Sequence, residues 1–353
     1  MRLGHLRDVH QRPGPFATVH LDLTTTPDRA WPSARDELAS QGTDEPTLRA
    51  LDEHVAQHVW AGQPGQVLVA ERGRVVLSDD LPQAPAGLPR EESACFAAVP
   101  HLMTYLRLRG PRIPHVIAVV DRLGAGLRVV HATREAEIRS VEGADHPAET
   151  GDGRNEERAR ARTAERVAAE VSRQAARAAA RAVVLAGEAQ QRQLVLERLA
   201  DEVRDSVVET EASHDDHDAV DEPLRRRIDE TIEALVHSRI SEAVQEFEQQ
   251  RGEAEQVVEG MRGTLAALRG ERVRTLLWSA PVDPSERQLR IGLRTCDVAV
   301  DDAELGGSAV ATAPASTAVV RALAGSGAEL VLVDPDKVEL VDGIGGVLAA
   351  ADR

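Results

Sequence analysis

Seven arginines carry the chemistry most readily read from this sequence. Arg154, Arg158, Arg162 and Arg166 follow one another at four-residue spacing, and Arg173, Arg177 and Arg181 repeat the interval. Residues four apart share one face of an α-helix, so the pattern predicts a helix with a positive stripe. Between Arg154 and Arg181 there are eight Arg and four Glu, a net of +4 in a chain whose formal total is −17. A local cationic stripe on an acidic protein suits phosphate groups, which position a ligand without reading sequence. The plainer alternative is a solvated helix in which Glu156, Glu157, Glu165 and Glu170 form i,i+3 or i,i+4 pairs. Gly151 and Gly153 precede the stripe. A helix starting behind them would add the positive end of its dipole to the same region. The same residues equally suit an ordinary flexible loop with a glycine at its turn.

Other clusters point less firmly to chemistry. His214-Asp-Asp-His217-Asp218 holds metal-ligating residue types. It stands just before Pro223 and a long helical pattern, where acidic residues favour the helix N-terminus, so no metal is expected. Gly187-Glu-Ala-Gln-Gln-Arg192 lacks both glycine-rich phosphate-binding spacings, and Gly343-Ile-Gly-Gly346 is expected to be a tight turn. No nucleotide or other cofactor is implied. Asp121 ends an apolar run, but a metal nuclease needs several convergent carboxylates, and no others can be placed beside it. Cys95 and Cys296 lie far apart and suggest neither a disulfide framework nor a zinc site.

Composition narrows the class. With 353 residues, 42% of them hydrophobic and 29% charged, the chain suits two or three globular domains. No run approaches a membrane span, and the first residues lack the apolar stretch of a secretory signal, so a cytoplasmic location is expected. An acidic total argues against a general nucleic-acid or DNA binder, while leaving room for one local RNA-binding patch. Lys337 is the sole lysine; with so Arg-rich a composition, the placement of the arginines says more than their number.

The elements that must hold the stripe follow from periodicity. Residues 1–109 suggest an α+β unit. It has a strand in Gly14–Leu23, a helix opening at Ala34 behind Ser33, and a helix over Thr47–Val59. A hairpin follows over Gly65–Ser78, turning at Glu71-Arg72-Gly73, and a β-rich stretch near Cys95–Val99. Residues 113–252 open with His115-Val-Ile-Ala-Val-Val-Asp121, turn through Arg-Leu-Gly-Ala-Gly126, and continue with Leu127-Arg-Val-Val-His131, a hairpin. A polar loop at 146–153 leads into the arginine helix. Then come a strand ending at Gly187, a helix over Gln190–Leu199, a strand over Val203–Thr210 and a long helix over Leu224–Gln250. Residues 253–353 suggest a helix over Ala254–Leu268, strands at Arg272–Ser279 and Ala328–Asp334, and a helix over Ser316–Ala324, with Arg290–Thr295 a strand or short insertion. The class is α/β, α+β overall, in three domains: 1–109, 113–252 and 253–353.

In that order the chain resembles the bacterial branch of the archaeo-eukaryotic release factor/Pelota superfamily, which includes the actinobacterial Balon-like ribosome-hibernation factors. The residues that carry the resemblance are Gly14-Pro-Phe-Ala-Thr-Val-His-Leu-Asp22, His115 to Gly126, the loop and basic helix at 146–181, and Leu265-Ala-Ala-Leu-Arg-Gly-Glu-Arg-Val-Arg-Thr-Leu-Leu277. The resemblance implies an RNase-H-like middle domain and an L7Ae-like C-terminal α-β-α domain. Release-active members carry Gly-Gly-Gln between a middle-domain strand and its helix, where its glutamine positions the hydrolytic water. Here Thr150-Gly151-Asp152-Gly153-Arg154 stands instead, without glutamine. The implied function is a non-catalytic factor of the ribosomal A site, acting in hibernation or rescue under stress. Gly151, Gly153, Arg154, Asn155, Arg158, Arg162 and Arg166 would face ribosomal RNA. A translational GTPase such as EF-Tu would meet the C-terminal domain. Two alternatives stay open: a peptidyl-tRNA hydrolase, for which only Asp152 and Asn155 offer polar groups in the loop, and a protein-interaction module that has left the ribosome.

Overall fold

The computed structural model describes residues 1–24, 27–57, 62–132, 136–143, 153–210, 222–251, 256–279 and 287–350. The chain packs as two compact units, Met1–Pro111 with Ile240–Arg353, and Arg112–Arg239. Both mix helices with sheets, in agreement with the α/β class.

In the 112–239 unit, the run His115–Asp121 becomes the central strand of a five-stranded sheet. The order across the sheet is Glu137–Glu142, Gly124–Val130, His115–Asp121, Ala182–Gly187, Val207–Glu209. The first three strands are antiparallel neighbours, and the last two run parallel to the centre. This mixed order fits the RNase-H-like expectation. The hairpin is tighter than the sequence suggests, because Gly124 already pairs with Asp121 and only Arg122 and Leu123 turn. The Asp121 carboxylate accepts the main-chain N–H of Leu123 at 2.6 Å and of Gly124 at 2.8 Å, which closes the turn. Glu137–Glu142 is a strand where sequence alone gives no element. It is an edge strand with alternate residues exposed, so it lacks the apolar run that marks its neighbours. The expected strand over Val203–Thr210 begins later, at Val207, after a short helix Asp201–Arg204.

One face of this sheet receives Ala164, Val167, Ala168, Val171, Ala175 and Ala178 from the helix Gly153–Ala178. Small alanines let the helix lie close over Val116, Ala118, Val120 and Leu127. The opposite face meets Leu224 and Ile228 of the helix Glu222–Gln250, over Ile117, Val184 and Ala186. Gly187 ends its strand at φ +111°, and an added Cβ would lie 2.0 Å from the Val120 carbonyl oxygen. Gly187→Ala is therefore expected to destabilise this unit by ~3 kcal/mol or more. Urea unfolding followed by circular dichroism checks it; a loss under ~1 kcal/mol would show that the strand end gives way freely.

In the other unit, Phe16–Asp22 lies between Gly65–Glu71 and Ala94–Ala97, with Arg74–Leu81 beyond, all antiparallel. Arg72 and Gly73, both at positive φ, make the hairpin turn as expected. The first long helix spans Pro27–Ser40, so Ser33 lies inside it and does not cap it; Pro27 starts the helix as a first-turn proline can. Trp31, Leu38, Leu48 and Leu51 cover one face of this sheet.

A second sheet runs Val257–Glu259, Ile344–Leu348, Val273–Ser279, Glu329–Val333. The helix expected from Ala254 begins at Met261. Val257–Glu259 pairs with Ile344–Leu348, and Gly260 at φ +74° separates strand from helix. The glycine run at 343–346 is a turn only at its start: Gly345 and Gly346 belong to a strand. A Cβ on Gly345 would sit 2.9 Å from the Phe247 ring, so the small residue makes room for an aromatic. Gln288–Ile291 is a strand of a small separate sheet. Leu3, Leu6, Phe16 and Leu102 share one core cluster with Leu265, Leu268, Val319 and Leu323. Arg7 adds hydrogen bonds to the carbonyls of Ala324 (3.2 Å) and Gly325 (2.8 Å). These contacts join the first and last hundred residues by burial, a long-range relation that local periodicity does not encode.

Candidate nucleic-acid interface

The helix expected from the arginine spacing is present as Gly153–Ala178, 26 residues long. Its buried stripe fixes its rotation over the sheet, and its arginines divide by where that rotation puts them. Arg154, Asn155, Arg158, Arg162 and Arg166 are all exposed. Four residues advance an α-helix by about 6 Å, so Arg154, Arg158, Arg162 and Arg166 form a line of cations at that interval. Gly153 opens the helix, as the phosphate reading requires. Gly151 lies outside the described residues, as do Thr150 and Asp152.

The arginines are not equivalent. Arg166 donates to the Gly143 carbonyl at 2.9 Å, so one of its nitrogens ties the helix to the end of the edge strand. Arg160, off the exposed stripe, reaches Glu156 at 3.1 Å, Glu188 at 3.5 Å and the Gln190 side chain. Gln191 donates to the Arg160 carbonyl at 3.3 Å, binding the same turn to the helix Ala189–Leu196. Arg173 pairs with Glu170. Pairing within the helix and to its neighbour thus accounts for Arg160 and Arg173 and leaves the centre of the stripe untouched. Among the described residues, Arg158 and Arg162 make no side-chain hydrogen bond and no ion pair. Free guanidinium groups held on a rigid helix are what a phosphate contact needs, since each fork can meet two anionic oxygens.

Asp121 spends its carboxylate on the turn. Among the described residues no group of three His, Cys, Asp or Glu could hold a metal ion. The 214–218 cluster lies outside the described residues. Cys95 and Cys296 form no disulfide. The residue that spacing alone missed is Arg160: its four-residue offset from Glu156 was visible, but its partners at 188 and 190 come from another helix.

Residues 114–253 match bacterial archaeo-eukaryotic release factor family 2. The match covers the middle segment of this protein and no more. The match spans the five-stranded sheet and the arginine helix, so the candidate interface lies within the matched segment.

Solved structures that match the chain include an archaeal translation termination factor, aRF1, at 15% identity over 98% of this chain and 96% of its own, with a TM-score of 0.26. Archaeoglobus fulgidus Pelota is 15% identical over 80% of this chain and 78% of its own, with a TM-score of 0.35. An archaeal Pelota from a model of ribosome-bound Pelota and ABCE1 is 14% identical over 82% of this chain and 73% of its own, with a TM-score of 0.40. No curated protein sequence matches the chain.

Proposed function

We propose that this protein is a non-catalytic, ribosome-associated factor of the release-factor/Pelota kind that occupies the A site. In this reading its middle domain faces ribosomal RNA through Gly151, Gly153, Arg154, Asn155, Arg158, Arg162 and Arg166. The observation that carries it is the exposed, uncommitted guanidinium pair of Arg158 and Arg162 on a release-factor-family domain. The loop before the helix has Gly151-Asp152-Gly153 and no Gly-Gly-Gln, which supports a role other than stop-codon-triggered peptide release. Hibernation or rescue of idle ribosomes under stress is the corresponding cellular role, with residues 253–353 as the contact for a translational GTPase such as EF-Tu. Ribosome work places the protein in the cytoplasm; among the described residues no helix is long and apolar enough to cross a membrane.

Co-sedimentation with 70S ribosomes, with and without EF-Tu, tests this reading. Wild type is expected in the ribosome pellet, and Arg154/Arg158/Arg162→Glu in the supernatant. Failure of wild type to bind at any salt concentration would overturn it. Turnover of peptidyl-tRNA by wild type, lost in Asp152→Ala and Asn155→Ala, would replace the non-catalytic assignment with hydrolysis.

A further inference from the structure

Among the described residues, the outer edge of the five-stranded sheet is open. Glu137–Glu142 is the terminal strand, paired only with Gly124–Val130 among the described residues. It holds neither Lys nor Pro, two of the common devices that blunt an edge. Ile138 is 86% exposed, the highest exposure among the described large hydrophobic residues. The helix that covers this sheet face reaches Ile117, Val184 and Ala186 with Leu224, and Ile138 is not part of that cluster.

The hydrogen-bond phase of the strand says which main-chain groups are unused. Gly143 donates its N–H to Leu123 at 2.6 Å, one step beyond the Glu142–Gly124 pair. In an antiparallel ladder such groups alternate in direction. The odd-numbered residues therefore turn their main-chain groups toward Gly124–Val130, and Ile138, Ser140 and Glu142 turn theirs outward.

We infer that this edge pairs with the same edge of a second copy, antiparallel and two-fold symmetric about Ile138. Outward groups must meet outward groups, which leaves four symmetric registers that overlap at least three residues of the strand. Centring on Val141 sets Val141 against Val141 but Ser140 against Glu142, with no opposite charges facing. Centring on Arg139 sets Arg139 against its own copy, a like-charge clash. Centring on Ser140 sets Ile138 against Glu142 and Arg139 against Val141. Centring on Ile138 sets Ile138 against Ile138, and Glu137 against Arg139 on both sides of it. Only this register combines an apolar pair with opposite charges, and cross-strand pairs of both kinds stabilise antiparallel strands. The Glu137–Arg139 pairs fall at non-hydrogen-bonded positions, where side chains approach more closely. Within one strand Glu137 and Arg139 already bond to each other, Nη2 to Oε2 at 2.6 Å, so both side chains are held on the same face. The pairing adds about six main-chain hydrogen bonds, from residues 136, 138 and 140 of each copy. It also makes a ten-stranded sheet with both arginine helices on one face, because the two-fold axis stands perpendicular to the sheet.

Sedimentation velocity of the full chain over a concentration series tests the pairing. Wild type is expected to dimerise with rising concentration, and Ile138→Lys to stay monomeric. Glu137→Arg alone and Arg139→Glu alone are each expected to be monomeric, since each sets like charges opposite one another twice. An equimolar mixture of these two variants restores both opposite-charge pairs and is expected to dimerise. Wild type monomeric throughout, a dimer unmoved by Ile138→Lys, or a mixture that stays monomeric would each overturn the inference.

Discussion

Reversing Arg158 and Arg162 to glutamate is expected to weaken ribosome binding on the order of a hundredfold at moderate salt, with the fold intact. Both side chains are exposed and uncommitted among the described residues, so no internal contact is lost. Surface changes of this kind seldom move stability by more than about 0.5 kcal/mol. The binding effect is larger because each arginine that neutralises a phosphate also releases a bound counterion. Two lost contacts should lower the slope of log K against log salt by roughly two. The informative contrast is Arg160→Glu. That change breaks the ties to Glu188 and Gln190 and is expected to lower stability more than the double reversal does. Titrating labelled protein with 70S ribosomes at several KCl concentrations checks the prediction. An unchanged slope in the double variant would show that the stripe never meets phosphate.

The arginine helix was legible because both of its properties are local. Its cations recur every four residues, and its apolar residues fill the opposite face, so one 26-residue window holds both. The hairpin at His115 and the parallel strand ending at Gly187 were legible for a similar reason, as short apolar runs bounded by glycine. The strand Glu137–Glu142 was not, because an edge strand with one open face has no apolar run to betray it. Val257–Glu259 was absorbed into a helix by the sequence pattern. Three residues cannot display a period, and only Gly260 with its positive φ marks the break. The site shows the same division. Which arginines lie on the exposed face follows from spacing, but which stay free depends on Glu188, Gln190 and the Gly143 carbonyl, and tertiary structure alone delivers these.

Lowering the pH from 7 to 4.5 is expected to cost the 1–111/240–353 unit about 5 kcal/mol of stability, mostly through two histidines. His10 is 4% exposed, and neither ring nitrogen has a hydrogen-bond partner among the described residues. Burial, reinforced by the nearby Arg321 guanidinium, lowers its pKa to about 3. His20 is equally buried. Its Nδ1 lies 3.0 Å from the Glu92 carbonyl, its Nε2 is unpartnered, and burial lowers its pKa to about 4, with His101 adding to the shift. Burial lowers His101 as well.

The folded state thus keeps these rings neutral, while an unfolded chain protonates them near pH 6.5. Above that value neither state binds the protons and stability is unaffected. Below it the unfolded state takes up protons that the folded state refuses, so stability falls by about 1.4 kcal/mol per pH unit for each ring. The fall from His20 levels off near pH 4 and that from His10 near pH 3, as the folded rings finally protonate. Whole domains are held by only about 5–15 kcal/mol, so the loss is enough to unfold a marginal one. Trp31 and Trp278 are both buried in this unit and report its unfolding by fluorescence. Urea midpoints measured between pH 7 and 4.5 should fall steeply for wild type. His10→Leu should flatten the dependence by about 1.4 kcal/mol per pH unit, because it removes one titrating ring and leaves an apolar side chain in its place. An unchanged pH dependence in that variant would mean that His10 reaches solvent or a partner in the folded protein, and the acid sensitivity would then have to come from other groups.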